Sequence, residues 1–345
     1  MMERDPYRKV IVAPDSYKGC LSAQEVASTL ASALRRLHPD WEVVEHPLAD
    51  GGEGTVDVVT PALGGGFREA VVSDPLGRPV TARYGLLGQT AVLEVAEACG
   101  LKRLEPGERN PLLASTYGVG ELLMAARAAG ARRFVIGLGG TATCDGGAGM
   151  LQVPGLREAL KDCTLELLCD VEIPFIGPEG AVRRYAPQKG ASPADVELLE
   201  TRMEAFAGVL YAETGVDVLT LPGTGAAGGI AGAFMACFGA ANVSGIDRIL
   251  DLTGFDAVAA DADGVITGEG RSDLQTLSGK VALGVLRRAK HIPVILVSGR
   301  IEDEAALAAA GFTRQIRVSP ENLPLGVAMD PEVTKSNLRK AAERI

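Results

Sequence analysis

The stretch Phe134-Val135-Ile136-Gly137-Leu138-Gly139-Gly140-Thr141-Ala142-Thr143-Cys144-Asp145-Gly146-Gly147-Ala148-Gly149 limits the folds open to this chain more than any other. A short apolar run rich in β-branched residues reads as a buried strand. Here the run passes directly into six glycines interleaved with two threonines and one aspartate. Glycine takes backbone angles closed to other residues and lets a ligand approach the main chain, at an entropic cost on folding. Threonine hydroxyls can bind phosphate oxygens or a metal, and the aspartate can hold a metal or accept a proton. Two structures fit the pattern: a tight strand-to-helix turn, or an anion-binding turn at the carboxyl end of a sheet strand.

The chain has 345 residues, enough for about two domains with sizeable cores. Its 43 glycines exceed the roughly 24 expected from average usage, and they cluster in turns after apolar runs. That placement points to backbone-lined sites rather than flexible linkers. A net charge of −10 argues against general binding to nucleic acid or anionic membrane, while leaving room for an anionic small substrate beside local Lys and Arg. Cys20, Cys99, Cys144, Cys163, Cys169 and Cys237 show no CxxC pair or zinc spacing and read as reduced thiols. Met1–Pro6 lacks a signal-peptide pattern and no run is long and apolar enough to span a bilayer. A cytoplasmic location is expected.

The chain opens with a strand at Val10–Ala13, a loop, and a helix announced by Ser22 and Glu25, the pattern of a capping box. Val26, Leu30, Ala33, Leu34 and Leu37 carry its helical period, and Trp41–His46 reads as a second strand. Between Phe67 and Glu97, closely spaced β-rich runs without helices suggest antiparallel structure. A helix over 112–129, the central strand, a strand at Leu165–Cys169, a helix at Pro193–Thr214 and a strand at Val216–Leu221 follow. After Asp261 the α/β alternation returns. The expectation is therefore an α/β protein of two α/β domains. A Rossmann/flavodoxin-like parallel-sheet domain (1–60 and 261–345) is interrupted by an inserted mixed α/β domain (61–260), with 112–150 assignable to either.

Gly223-x-Gly225-x-x-Gly228, with Asp247 further on, matches a dinucleotide fingerprint, but deep in the chain rather than on a first strand. Close helix packing or a phosphate turn suits it better than nicotinamide. No Walker A occurs: Val281 follows Gly279-Lys280, and Leu274 stands where the first glycine belongs. Protein-kinase signatures are missing as well. Acidic and basic loops follow several strands: Asp15 and Lys18; Asp50 and Glu53; Asp170; and Glu269, Arg271 and Asp273. Lys189 adds a cation in Pro187-Gln188-Lys189-Gly190. Carboxylates, cations and glycine turns at strand ends are the mixture phosphoryl transfer needs. His38, His46 and His291 lie outside the glycine loops, so histidine-based hydrolysis is poorly supported.

Six segments then occur in a fixed order: Ala13–Lys18, Ala49–Thr55, Gly139–Gly147, Cys169-Asp170-Val171, Pro187–Gly190 and Gly268-Glu269-Gly270-Arg271-x-Asp273-x-Gln275-Thr276. Over roughly residues 9 to 300 the series resembles the bacterial glycerate kinases of the glycerate 2-kinase type. The resemblance implies ATP- and Mg²⁺-dependent phosphorylation of D-glycerate to 2-phosphoglycerate in a cleft between two α/β domains. Two departures stand out. The segment between Gly149 and Cys169 is shorter than the family's, and Ile173 and Cys144 replace usual asparagines.

On this resemblance Lys18 and Arg271, with Lys189 a third candidate, would neutralise the glycerate carboxylate or the γ-phosphate. Asp50, Glu53 and Asp170 would coordinate Mg²⁺, directly or through water. Asp145 or Asp170 would accept the hydroxyl proton. Gly139, Gly140, Thr141 and Gly225 to Gly229, Gly228 among them, would give backbone donors to phosphates. Asp15, Ser16, Gly51, Gly52, Glu269 and Asp273 complete the expected substrate and phosphate contacts. Glycerate and ATP are the expected partners, with no nucleic acid or membrane, and homo-oligomerisation is left open. The other readings are a kinase of a related hydroxy acid, a 3-phosphoglycerate product, a nicotinamide-dependent oxidoreductase and a non-catalytic sugar-acid-binding protein.

Overall fold

The structure, a computed structural model, describes residues 7–277 and 279–345. The Met1–Pro6 stretch read above for a targeting pattern lies outside the described residues. The chain forms two compact units: one runs up to Asp50 and resumes at Ile246–Ile345, the other is Gly51–Gly245. Both divisions fall earlier than the expected ones after residues 60 and 260. The helix Thr55–Ala62 packs on the sheet of the second unit, and Phe255 packs against the His46 ring in the first. Residues 112–150 lie in the second unit.

The first unit is a five-stranded parallel sheet. β1 (Lys9–Val12) has β2 (Glu42–Glu45) on one side and strand Gly264–Thr267 on the other, followed outward by Val294–Ser298 and Arg314–Arg317. Because the chain steps from β1 to one side and returns on the other, the carboxyl ends of β1 and Gly264–Thr267 form a switch point, where open sheets bind ligands. Helix α1 (Ala23–Leu37) begins at the expected capping box: Ser22 Oγ accepts from the Glu25 N–H while Glu25 returns a bond to the Ser22 N–H. Its buried residues Val26, Leu30 and Leu34 recur at helical spacing and face the core.

Two short parallel segments, Arg271–Ser272 and Arg300–Ile301, zip together the loops that leave Gly264–Thr267 and Val294–Ser298. This close approach requires glycine. A Cβ on Gly268 would stand 1.6 Å from the Val297 carbonyl oxygen.

The second unit holds a mixed six-stranded sheet in sequential order, β3 (Gly66–Ser73), β4 (Pro79–Leu87), β5 (Thr90–Glu94), β6 (Arg133–Gly137), β7 (Thr164–Leu168) and β8 (Ala241–Val243). β3, β4 and β5 pair antiparallel, and β5 to β8 pair parallel. The β6–β7 connection uses only two short helices, Ala148–Leu151 and Leu156–Leu160, so the shortened segment still makes a buried crossover through Leu156 and Leu160.

One sequence expectation fails. Val216–Leu221 is a turn, not a strand: the Asp217 carboxylate accepts the Leu219 N–H and Thr224 Oγ1 bonds the Val218 carbonyl. Side chains that satisfy the backbone locally compete with a sheet ladder. Asp247, beyond the fingerprint, sits on the helix Gly245–Leu252 rather than at a strand end.

The Gly268 contact gives the first prediction. Gly268→Ala is expected to lose about 3 kcal/mol or more of stability by overpacking. Gly270→Ala, whose added Cβ would lie 3.5 Å from its nearest neighbour, should lose far less. Urea unfolding of the two variants side by side checks this.

Candidate functional site

At the switch point of the first unit, β1 runs into Asp15 and Lys18. The Asp15 N–H donates to the Gly268 carbonyl at 2.8 Å, and the Ser16 N–H donates to Asp15 Oδ1 at 2.6 Å. The Asp15 side chain is buried. Burial pushes its carboxyl well above the usual carboxylate range, and the charge of Asp50 pushes the same way; the Ser16 N–H and Lys18 oppose them. Tyr17 points into the core and donates to the Val297 carbonyl at 2.9 Å, and burial raises its phenol.

The loop after Gly264–Thr267 contributes Glu269, also buried. It accepts from Thr276 Oγ1 at 2.6 Å and Ser272 Oγ at 3.3 Å, and pairs with Lys280 at 3.3 Å. Ser272 and Ser298 extend this network at 2.8 Å. Arg271 is exposed and bonded to Glu302 at 2.7 Å and to Asp273 at 3.2 Å. Such exposed pairs contribute little, so a ligand can redirect the guanidinium at small cost. Lys18 is exposed and, among the described residues, has no carboxylate within ion-pair distance.

These groups line a cavity of about 600 Å³, among them Asp15, Lys18, Asp50, Glu269, Arg271 and Lys280. Leu323, Leu325 and Met329 add apolar lining. Lys280 belongs to a Gly-Lys pair that fails as a Walker A; its only sequence signal was a cation at the start of a helix.

In the second unit the carboxyl ends of β5, β6 and β7 are level: Glu94 pairs with Gly137, and Gly137 with Leu168. Gly51 lies against this row with φ +89°, and its carbonyl accepts the Leu138 N–H at 3.0 Å. A Cβ on Gly137 would lie 2.7 Å from the Gly51 oxygen, and one on Gly139 would lie 2.8 Å from Gly52 Cα. The two glycine turns thus touch backbone to backbone.

Within the second turn Asp145 is an internal bracket. Its Oδ2 accepts from the Thr116 N–H, Thr116 Oγ1 and the Gly149 N–H, and its Oδ1 from the Gly147 N–H. A carboxylate so occupied holds the loop, and it is one of the two, with Asp170, that the sequence offers as proton acceptor. Asp170, beyond β7, accepts the Gly245 N–H at 2.9 Å. Glu53 is exposed and paired with Lys102, so it is engaged on the surface rather than gathered with other carboxylates. Among the described residues, no three His, Cys, Asp or Glu side chains are gathered to hold a metal.

Lys189 is buried, with Nζ donating to the Thr143 carbonyl at 2.7 Å and Thr141 Oγ1 at 3.1 Å. Glu94, which sequence reasoning missed, is buried at the start of helix α2 (Thr55–Ala62) and accepts the Gly54 and Val56 N–H groups. Its only signal was a lone carboxylate ending a buried strand. Burial raises its carboxyl to about 7.

The Gly223–Gly229 fingerprint is a packing device. A Cβ on Gly225 would lie 2.0 Å from the Pro174 oxygen, and one on Gly228 2.0 Å from the Thr143 oxygen. The Gly225 N–H already donates to the Ile173 carbonyl. Neither the dinucleotide reading nor the expected phosphate contacts at Gly225 and Gly228 suit glycines pressed onto neighbouring backbone.

Comparison with known proteins bears on the whole chain. The family described as the glycerate kinase family matches residues 10–158 and 152–345. The chain belongs to the glycerate kinase family. It is 40% identical over 331 residues to the glycerate 2-kinase of Escherichia coli K12, covering 87% of each chain. It is 39% identical over 355 residues to the glycerate kinase of Bacillus subtilis 168, covering 93% of each. A crystal structure described as a putative glycerate kinase 2 from Salmonella typhimurium LT2 matches with TM-score 0.84 and 39% identity, covering 98% of this chain and 97% of that one. The family thus gives the chain kinase activity on a small molecule and the two-part α/β fold. Ile173 and Cys144, where the resemblance leads one to expect asparagines, are both buried.

Two predictions follow from the second unit. Asp145→Asn is expected to cost about 3 kcal/mol, because donors aimed at a carboxylate lose acceptors; urea unfolding measures this. Glu94 has a folded pKa near 7 against about 4.5 unfolded. The folded state therefore holds the proton longer, and stability falls by about 3 kcal/mol as pH rises from 4.5 to 7, then levels off. The difference in unfolding free energy between wild type and Glu94→Gln, followed from pH 4.5 to 8, should trace that fall.

Proposed function

We propose that the chain transfers the γ-phosphoryl group of ATP, as its Mg²⁺ complex, to the 2-hydroxyl of D-glycerate. The observation that carries this reading is the cavity of about 600 Å³ in the first unit, which carboxylates, cations and apolar side chains line together. Phosphoryl transfer depends on positioning and on electrostatic stabilisation of the transferring group. Lys18, Arg271 and Lys280 would neutralise phosphate charge, and Leu323, Leu325 and Met329 offer a surface of the right chemistry for a nucleotide base.

The donor chemistry fits Mg²⁺, which takes one or two carboxylates and completes its shell with water and phosphate oxygens. Asp15 and Asp50 would hold it: their charges oppose one another, and a divalent cation would keep both ionised. When bound, the ion would shield the phosphate oxygens from the incoming hydroxyl. Asp170 remains the carboxylate proposed to orient that hydroxyl. The names of the E. coli and B. subtilis relatives support glycerate as the acceptor. All six cysteines are free thiols, which fits a reducing, cytoplasmic compartment. No helix among the described residues is long and apolar enough to cross a membrane.

An ADP-release assay with D-glycerate, ATP and Mg²⁺ tests the reading, and the product is then offered to enolase. Direct conversion by enolase is expected. A product that first needs phosphoglycerate mutase would move the transfer to the 3-hydroxyl, and no glycerate-dependent ADP would overturn the assignment. Lys18→Ala should lower kcat/KM at least 100-fold with little change in Tm, since the side chain is exposed.

A further inference from the structure

Lys189 poses a charge problem that the protein alone does not solve. The side chain is only 4% exposed, yet its ammonium donates to a hydroxyl and a carbonyl, Thr141 Oγ1 and the Thr143 oxygen. Among the described residues no carboxylate lies within ion-pair distance of Nζ. A buried ammonium is costly unless it is paired. The nearby acid, Asp145, has committed its oxygens to Thr116, Gly147 and Gly149. The two neighbouring thiols cannot replace it: burial pushes Cys99 up to about 12 and Cys144 upward as well, so both stay neutral.

The turn around Lys189 also has unused donors. Among the described residues the N–H groups of Gly139, Gly140 and Thr141 donate to no protein acceptor. Gly140, at φ +77°, is exposed, which opens this edge to a ligand. The Thr143 hydroxyl is buried without a hydrogen-bond partner. Successive amides in such a turn form an anion-binding concavity, and here a buried cation lies under it.

We propose that the carboxylate of the acceptor acid is the missing counter-ion, bound by Lys189, Thr141 Oγ1 and the free amides of the 139–141 turn. This rests on the kinase reading above and assigns the substrate's carboxylate, not its hydroxyl, to this turn. One ammonium with neutral donors matches the single charge of a carboxylate. The several charges of a nucleotide polyphosphate find Lys18, Arg271 and Lys280 together in the other unit. Lys189 then selects 2-hydroxy carboxylates over neutral polyols of the same size.

The test crosses the lysine with the charge it is proposed to meet. In wild type, replacing glycerate by the neutral glyceramide should lower kcat/KM about 100-fold. Lys189→Met should raise KM for glycerate by a similar factor and leave KM for ATP within threefold. Glyceramide should cost the Lys189→Met variant little more. A rise in KM for ATP instead, unchanged constants in a folded variant, or losses that multiply in full would each overturn the proposal. If Lys189→Met does not fold, Thr141→Val and Lys189→Arg decide it by calorimetry without nucleotide, with glycerate and lactate as probes. Binding weakened about tenfold for both acids in Thr141→Val supports it, and unchanged binding refutes it. Wild type that binds both acids yet releases no ADP would fail the kinase reading while leaving the anion site standing; wild type that binds neither would fail the site.

Discussion

The contact between two glycine turns, Gly51–Gly54 and Gly137–Gly140, is the constraint on which the second unit depends. No side chain separates them. The Gly51 carbonyl takes the Leu138 N–H, and a Cβ on Gly51, Gly137 or Gly139 would enter the space of a neighbour. With the backbones this close, the start of α2, the end of β6 and the end of β7 form one surface of main-chain donors. Glu94 fastens one edge of that surface through the N–H groups of Gly54 and Val56, and Asp145 fastens the other through Thr116, Gly147 and Gly149. Both carboxylates spend themselves on backbone, and that leaves the amides of 139–141 fixed in place and unused.

The first unit solves a related problem with charge rather than shape. Asp15 and Glu269 are buried at adjacent strand ends, and each is held by a different means. Glu269 is satisfied by Ser272, Thr276 and Lys280. Asp15 has the Ser16 N–H, the distant attraction of Lys18 and the opposition of Asp50. A carboxyl left with so little compensation is poised to take a cation or a proton, whereas Glu269 is set as part of the scaffold. Two acids of similar burial therefore have different chemistry, and their neighbours decide it.

Much of this was legible in the residues. Ser22 and Glu25 announced α1, Pro193 the start of the long helix ending at Thr214, and the run Gly264–Thr267 a buried strand, because caps and apolar periodicity are local properties. The acidic and basic loops stood at strand ends in sequence, as they do in space. What was not legible had non-local causes. Val216–Leu221 has strand composition but gives its backbone to Asp217 and Thr224. Gly225 and Gly228 share a spacing with phosphate loops, yet their lack of a Cβ is used by Pro174 and Thr143, dozens of residues away. Glu94 and Lys280 belong to no motif and are brought to their places by sheet register and a helix start.

The sequence by itself determined the fold class, the order of the elements, the family and the residue types gathered for handling anions. These follow from composition, from periods of two and 3.6, and from motifs whose order along the chain is itself information. Only the tertiary structure decided which of those residues remain available. Asp145 is spent on four donors, Glu53 is paired on the surface with Lys102, and Lys189 is buried with, among the described residues, no carboxylate within ion-pair distance. Availability depends on burial and on partners far apart in the chain, and neither can be read from a neighbourhood of a few residues.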